Sequence, residues 1–379
     1  FSKIHYNEDT YLVLVDKDSP YDKIKDLSNK SIGYINSELK DMNKVLEKLD
    51  KEVTMNKEEY TDYDKLFSDL SNNNIDSLLI DESYYNIKAE ETGTDNYKIV
   101  YKIKIRSLVK SDTKEVDITK DPFTIYISGI DTYGNIETVS RSDVNILLTV
   151  NPTTKQVLLT SIPRDSYVQL AGTKGYKDKL THAGNYGVNM SIDTIKNLLN
   201  IDINYYIRVN FTTLIKLVDK LGGIDVYSDK GFTPWTNTAI YIPKGNVHMN
   251  GEMALAFARE RHAYTEGDRH RVQNQQDVLE AVFKKLTKTS TLVSSYTGIL
   301  DTLDGSFETN MSKDTITSLA KFQINKMPSW NIEKISVSGS DSSNYTYSYP
   351  GQKLYVMEPD MQTVTEASNK IKDVLGKKE

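Results

Sequence analysis

Two nearly continuous apolar runs constrain the fold most. Val144-Asn-Ile-Leu-Leu-Thr-Val150 and Gln156-Val-Leu-Leu-Thr-Ser-Ile162 are separated by a turn at Asn151-Pro-Thr-Thr154. Strands with one wet face alternate apolar and polar residues; these do not, so they are expected at the centre of a sheet covered on both sides. Phe123–Ile130 reads as a further strand, Ile224–Tyr227 and a stretch near 332–337 as others. Helical spacing is seen at about 190–200, 211–221, 268–288, 313–325 and 360–375, and Asn250 is placed to cap a helix over Gly251–Arg259. The expected class is α/β: a layered α/β/α mixed sheet with helices on both faces.

Residues 1–108 read as a smaller α/β accessory domain. Its expected strands are Tyr11–Val15, Ser31–Ile35, Ile75–Ile80 and Tyr97–Ile105, and its expected helices 38–49 and 63–70. Residues 109–120 are polar and aperiodic, and are read as a linker to a catalytic domain over 121–379. The accessory segment shows no catalytic constellation, and a spacer or interaction role is expected for it.

Composition matters here through arginine. The chain has eight Arg against thirty-nine Lys, and four of the eight, Arg259, Arg261, Arg269 and Arg271, fall within thirteen residues. A guanidinium offers a planar fork of donors that matches phosphate oxygens; an ammonium is a point charge. Clustered Arg therefore points to a phosphate or pyrophosphate site, against the plainer reading of ion pairs with Glu260, Glu266 and Asp268. The net charge of −6 disfavours nucleic acid, and the lack of Cys excludes thiol chemistry and Cys-ligated zinc.

The remaining candidates lie at strand ends. Asp131 follows Gly129-Ile130 at the end of one strand, and Arg141-Ser-Asp143 precedes the next. If these strands are antiparallel, both carboxylates share an edge and suit Mg2+, which prefers carboxylate, water and phosphate oxygens. Ser161-Ile-Pro-Arg164-Asp165 ends the third strand. On the helix beginning at Asp268, Asp268, Arg271 and Gln275 share a face near a helix N-terminus favourable to anions. Metal motifs of His, phosphate-cradling Gly loops and a Ser nucleophile elbow are all missing.

Six segments in order, Ile127-Ser-Gly-Ile-Asp131, Arg141-Ser-Asp-Val-Asn-Ile146, Ser161-Ile-Pro-Arg-Asp165, Leu221-Gly-Gly-Ile-Asp-Val226, Leu255-Ala-Phe-Ala-Arg-Glu-Arg261 and Asp268-Arg-His-Arg-Val-Gln-Asn-Gln275, resemble the LytR-CpsA-Psr family of cell-wall glycopolymer ligases. Within it the chain is most similar to capsule-biosynthesis members of Gram-positive bacteria with an extra N-terminal domain. The resemblance implies a phosphotransferase that moves a glycan from a polyprenyl-pyrophosphate carrier, its tail in an apolar tunnel, to peptidoglycan. It implies Mg2+ on Asp131 and Asp143, pyrophosphate on Arg164, Arg259, Arg261, Arg271 and Gln275, and catalytic roles for Arg141, Asp143 and Arg164. Arg141 would stabilise charge near the reacting phosphorus, and Asp143 is the candidate proton acceptor. It also implies a location outside the cell membrane, anchored by a transmembrane segment ahead of Phe1. Two alternatives stay open: a Mg2+-dependent pyrophosphatase acting on the same lipid-linked glycan, and a non-enzymatic polyprenyl-lipid-binding regulator.

Overall fold

The computed structural model describes residues 4–110 and 115–377. Its N-terminal unit is a five-stranded sheet ordered β3-β2-β4-β1-β5, where β1 is His5–Asp16, β2 Ser31–Ile35, β3 Asn56–Tyr60, β4 Ser77–Asp81 and β5 Tyr97–Val109. Helices α1 (Met42–Glu52), α2 (Tyr63–Ser71) and α3 (Glu82–Thr92) pack on it, each opened by an Asp whose side chain accepts from the first-turn backbone. Strand β1 starts six residues before the expected Tyr11, because His5–Thr10 pair with Lys104–Val109 despite their polarity. Edge strand β3, Asn-Lys-Glu-Glu-Tyr, carries no apolar signal to read; charge at a sheet edge discourages further pairing. Helix α3 also escapes the sequence reading, since its buried positions reduce to Tyr84 and Ile87.

The larger unit is built on a six-stranded sheet ordered β14-β11-β6-β7-β8-β15. Its strands are β6 (Phe123–Ile130), β7 (Ser142–Asn151), β8 (Gln156–Ser161), β11 (Tyr205–Val209), β14 (Phe307–Thr309) and β15 (Asn331–Ser336). Strand β7 runs antiparallel to both β6 and β8. The apolar runs of β7 and β8 are central, as their composition predicts. One face, with Tyr126, Leu147 and Leu158, meets helices α5 (Val188–Leu199) and α11 (Met361–Val374). The other, with Ile125, Ile127, Ile146 and Leu159, meets α8 (Asp268–Leu286) and α10 (Lys313–Lys326). Two buried faces of a strand remove the polar alternation that one-sided sheets show.

Smaller pieces surround the ends of this sheet. Strands β9 (Tyr167–Gln169) and β10 (Lys177–Lys179) lead into the short helix α4 (Leu180–Ala183). Helices α6 (Phe211–Lys220), α7 (Gly251–Arg259) and α9 (Thr289–Leu303) share an apolar cluster with hairpin strands β12 (Ile224–Ser228) and β13 (Gly245–Met249). A second hairpin, β16 (Gly339–Thr346) and β17 (Tyr349–Pro359), sends Tyr349 and Leu354 into the core of the N-terminal unit. The expected linker is not a free tether along the part described: Ile118 is buried against the sheet, and Val116 exchanges backbone hydrogen bonds with the Tyr205 hydroxyl. Residues 111–114 of that expectation lie outside the described residues. Among the described residues no helix is long and apolar enough to cross a membrane.

Candidate functional site

The end of β6, the start of β7 and the end of β8 lie at one edge of the sheet, since β7 is antiparallel to its neighbours. That edge carries Asp131, Asp143 and Arg164. Within it the β6–β7 register slips: Gly129 faces Val144, but Ile130 faces Ser142, so Asp143 is an extra residue with no partner. A β-bulge of this kind re-aims a side chain out of the ladder. The slip needs glycine, because a Cβ on residue 129 would lie 2.8 Å from Val144 Cβ.

A buried hydroxyl network holds the bulge from below. Ser142 Oγ lies 2.7 Å from Ser128 Oγ and 3.1 Å from the Tyr126 hydroxyl, which donates to Asn145 Oδ1 at 2.5 Å. Asn145 Nδ2 in turn donates to Ser142 O at 3.0 Å. Fully paired, such a network stiffens the backbone that bears Asp143. From the side, the residue that follows α4 presses on the same segment: a Cβ on Gly184 would meet Ser140 O at 2.6 Å and Ser142 N at 2.7 Å. Thr181 of α4 donates to Asp143 Oδ1 at 3.1 Å.

Charge then accumulates at the edge. Arg164 Nη1 donates to the same Asp143 oxygen at 2.7 Å, and Arg164 Nε lies 3.8 Å from Asp165, whose other partner is Lys179 at 3.2 Å. Burial works to lower the Arg164 pKa, but Asp143, then Asp165 and Asp268, more than offset it, so the group is held above its ordinary range. The Asp131 pKa is raised too, which for an acid disfavours the charged form: partial burial first, then the Asp143 carboxylate, raise it against the pull of Arg259, Arg141 and Arg164. Two acids that repel each other, each retaining acceptor capacity, fit a hard divalent cation completed by water and phosphate oxygens. Among the described residues no group of three or more His, Cys, Asp or Glu forms a metal cage, so any cation here would rely on such outside ligands.

The arginine cluster closes the site from the helical side. Arg259, the last residue of α7, lies 3.5 Å from Asp131 with its guanidinium 4.3 Å over the Phe211 ring. Arg271, one turn into α8, pairs with Asp268 at 2.5 Å. Its Nε is buried with no hydrogen-bond partner, and its pKa is lowered chiefly by burial. A buried, under-paired cation of this kind calls for an anion. Helix α8 begins at Gly267 with no side-chain cap, leaving its positive end to an incoming group. Arg261 is exposed and within electrostatic range of Arg271. Gln275 reaches back to Ala258 O at 3.4 Å, and Arg269 turns away to Gly339 O at 3.4 Å.

The structure thus brings Asp131, Asp143, Arg164, Arg259 and Arg271 to one edge, with Arg141 beside them and Arg261 and Gln275 at its margin. The plainer reading of Glu260 as a surface ion-pair partner does not hold. It is buried, its Oε1 accepting from the backbone N–H of Arg261, His262 and Ala263, and its Oε2 from that of Trp235. Glu260 therefore shapes the loop between α7 and α8. The sequence reading also passes over Thr181, Asp165, Lys179 and Arg208. Arg208, buried on β11, donates to the carbonyls of Ile136 and Thr138, the latter at 2.6 Å, and so fixes the loop that delivers Arg141. Its arginine identity is the only signal it shows in sequence.

This geometry has known counterparts. The profile of the LytR_cpsA_psr family matches residues 83–370. The polyisoprenyl-teichoic acid–peptidoglycan teichoic acid transferase TagU of Bacillus cereus is 38% identical over 229 residues, 60% of this chain and 72% of that protein. The protein of the same name from Enterococcus faecalis is 35% identical over 215 residues, 56% of this chain and 69% of its own length. Among solved structures, Bacillus subtilis TagV superposes with a TM-score of 0.59 at 31% identity, over 69% of this chain and 99% of TagV. A family protein, YwtF (TagT), with bound octaprenyl pyrophosphate lipid superposes at 0.53 with 29% identity, over 69% of this chain and 94% of the other. By the extent of the profile match and the agreement of fold, this chain belongs to the LytR_cpsA_psr family.

Proposed function

We propose that this protein is the transferase that moves capsular polysaccharide, or a related anionic glycopolymer, from a polyprenyl-pyrophosphate carrier to a peptidoglycan hydroxyl. The observation that carries the reading is the under-paired Arg271, buried beside Arg164, Arg259 and two mutually repelling carboxylates at one sheet edge. Phosphoryl transfer asks chiefly for positioning and charge neutralisation, which this set offers. The transferase names of relatives and the pyrophosphate lipid bound in a family structure support the same chemistry.

In this reading Arg164, Arg259, Arg261 and Arg271 grip the pyrophosphate, with Gln275 at its margin. The acceptor hydroxyl, giving up its proton to Asp143, attacks the phosphorus attached to the glycan, the bridging P–O bond breaks, and polyprenyl phosphate leaves. Arg141 steadies the charge that builds on the transferring phosphorus. It does not take the proton, because a guanidinium stays protonated at ordinary pH. Asp131 and Asp143 would hold Mg2+, which when bound neutralises phosphate charge. The proposed setting is the outer face of the membrane of a Gram-positive-type bacterium, with no role for nucleic acid.

The test is transfer by purified protein of a synthetic polyprenyl-pyrophosphate glycan to peptidoglycan oligomers. Wild type is expected to form the conjugate, and Arg141→Ala or Asp143→Ala to lose at least a hundredfold in rate while remaining folded. Release of glycan phosphate to water with no conjugate would replace the transferase with a pyrophosphatase. Full activity in both variants would refute the site.

A further inference from the structure

The N-terminal unit, in which the sequence shows no catalytic constellation, places a side chain on the proposed catalytic edge. Glu90, in the last turn of α3, accepts from Arg141 Nη1 at 2.9 Å. The carboxylate lies at the solvent rim, 54% exposed, whereas the arginine side chain is 22% exposed. Arg141 also acts on Asp131, and the Glu90 charge is felt at Arg164. Glu90 therefore faces the mouth of the site, not a remote patch of surface.

The contact belongs to a docked joint. Glu8 N donates to Glu137 O at 2.9 Å, and Val139 N donates to Glu8 O at 3.1 Å, so β1 hydrogen-bonds the loop that leads into Arg141. Arg106 of β5 clasps Glu137 through two nitrogens, at 2.7 and 3.1 Å. From the opposite side the buried Arg208 holds the same loop through the carbonyls of Ile136 and Thr138. With its main chain held from two sides, the remaining freedom of Arg141 is in its side chain, and Glu90 restrains that. An exposed Glu–Arg pair contributes little to stability, so its effect would be on geometry.

We infer that Glu90 is a positioning residue for Arg141, holding one guanidinium nitrogen at the rim so that the other donors face the phosphate. This rests on the proposed role of Arg141. Its signature is a split that a merely structural role would not give. Removing a negative charge from the mouth strengthens the attraction for an anionic donor. Freeing the guanidinium lowers the fraction of time it is correctly aimed.

The experiment compares wild type with Glu90→Ala and Glu90→Gln in steady-state transfer from the lipid-linked donor, with thermal melts alongside. Glu90→Ala is expected to lower kcat about tenfold and donor KM about twofold, with the melting temperature unchanged. Glu90→Gln is expected to recover most of kcat, since its amide oxygen still accepts from Arg141. Wild-type kcat in Glu90→Ala overturns the inference, as does a lower kcat accompanied by a higher KM and a lower melt. Should wild type itself transfer nothing, the proposed reaction has failed, and Glu90 is judged by a second measurement. NMR of the Arg141 Nε–Hε group is then read with inorganic pyrophosphate as probe. An ordered signal that becomes mobile in Glu90→Ala, with about twofold tighter pyrophosphate binding, upholds the positioning; an unchanged signal and affinity refute it.

Discussion

The pairing of Arg164 with Asp143 permits a quantitative test of how the edge is built. Arg164 Nη1 meets Asp143 Oδ1 at 2.7 Å, with side-chain exposures of 19% and 13%. A hydrogen bond to a charged group contributes about 1.5–3 kcal/mol, and breaking a fully buried ion pair costs about 3–5 kcal/mol. This pair is mostly but not wholly withdrawn from water, so its coupling should be about 2 kcal/mol. Asp143→Ala also leaves the Thr181 hydroxyl without its acceptor, which brings that single change to about 3 kcal/mol. Arg164→Met should cost about 2 kcal/mol, and the double variant about 3 kcal/mol instead of the additive 5. Unfolding of the larger unit can be followed through Trp330, which packs between Phe283 and Phe322 and donates to Gln323 at 2.9 Å. Trp235, 69% exposed, is first replaced by Phe to leave a single reporter. Urea titration of the four proteins closes the cycle. A coupling below about 0.5 kcal/mol would mean that the two side chains do not cooperate in solution, and the account of the edge would fall.

Two further outcomes follow from the same geometry. The Asp131 pKa is raised in the folded protein by burial and by Asp143, so its proton is held more tightly folded than unfolded. Stability attached to it is therefore greatest below the ordinary carboxylate range and is lost as pH rises through the folded pKa. Asp131→Asn should melt higher than wild type at pH 7 and match it near pH 3, and Mg2+ should raise the wild-type melt but not that of the variant; equal melts at pH 7 would contradict this. Arg208→Met should destabilise by about 3 kcal/mol, because it leaves buried Glu308 without its cation and the carbonyls of Ile136 and Thr138 without this donor. A thermal melt within a degree of wild type would remove Arg208 as the anchor of that loop.

Much of the architecture was legible in residue patterns because burial leaves a mark on composition. Strands β6, β7 and β8 are apolar on both faces, helices α6 and α7 begin at Asn caps, and α8 begins within the Arg cluster. Scarce arginine pointed to the charged edge for a related reason: where Lys serves for ordinary surface charge, a guanidinium is retained for its fork of donors. Asp131, Asp143 and Arg164 could be named because each sits at the end of an apolar run. Elements held by pairing across distance left no such mark. Strand β3 and the first half of β1 are polar, and take their structure from partners elsewhere along the chain. The bulge that frees Asp143 depends on a one-residue slip between neighbouring strands, and Gly129 alone does not announce it. Thr181 and Glu90 have ordinary local sequence; what gives each its part is the atom it meets, Asp143 Oδ1 and Arg141 Nη1. Local pattern records which faces are buried, whereas a polar contact between elements some forty to fifty residues apart is decided only when the sheets and helices close on one another.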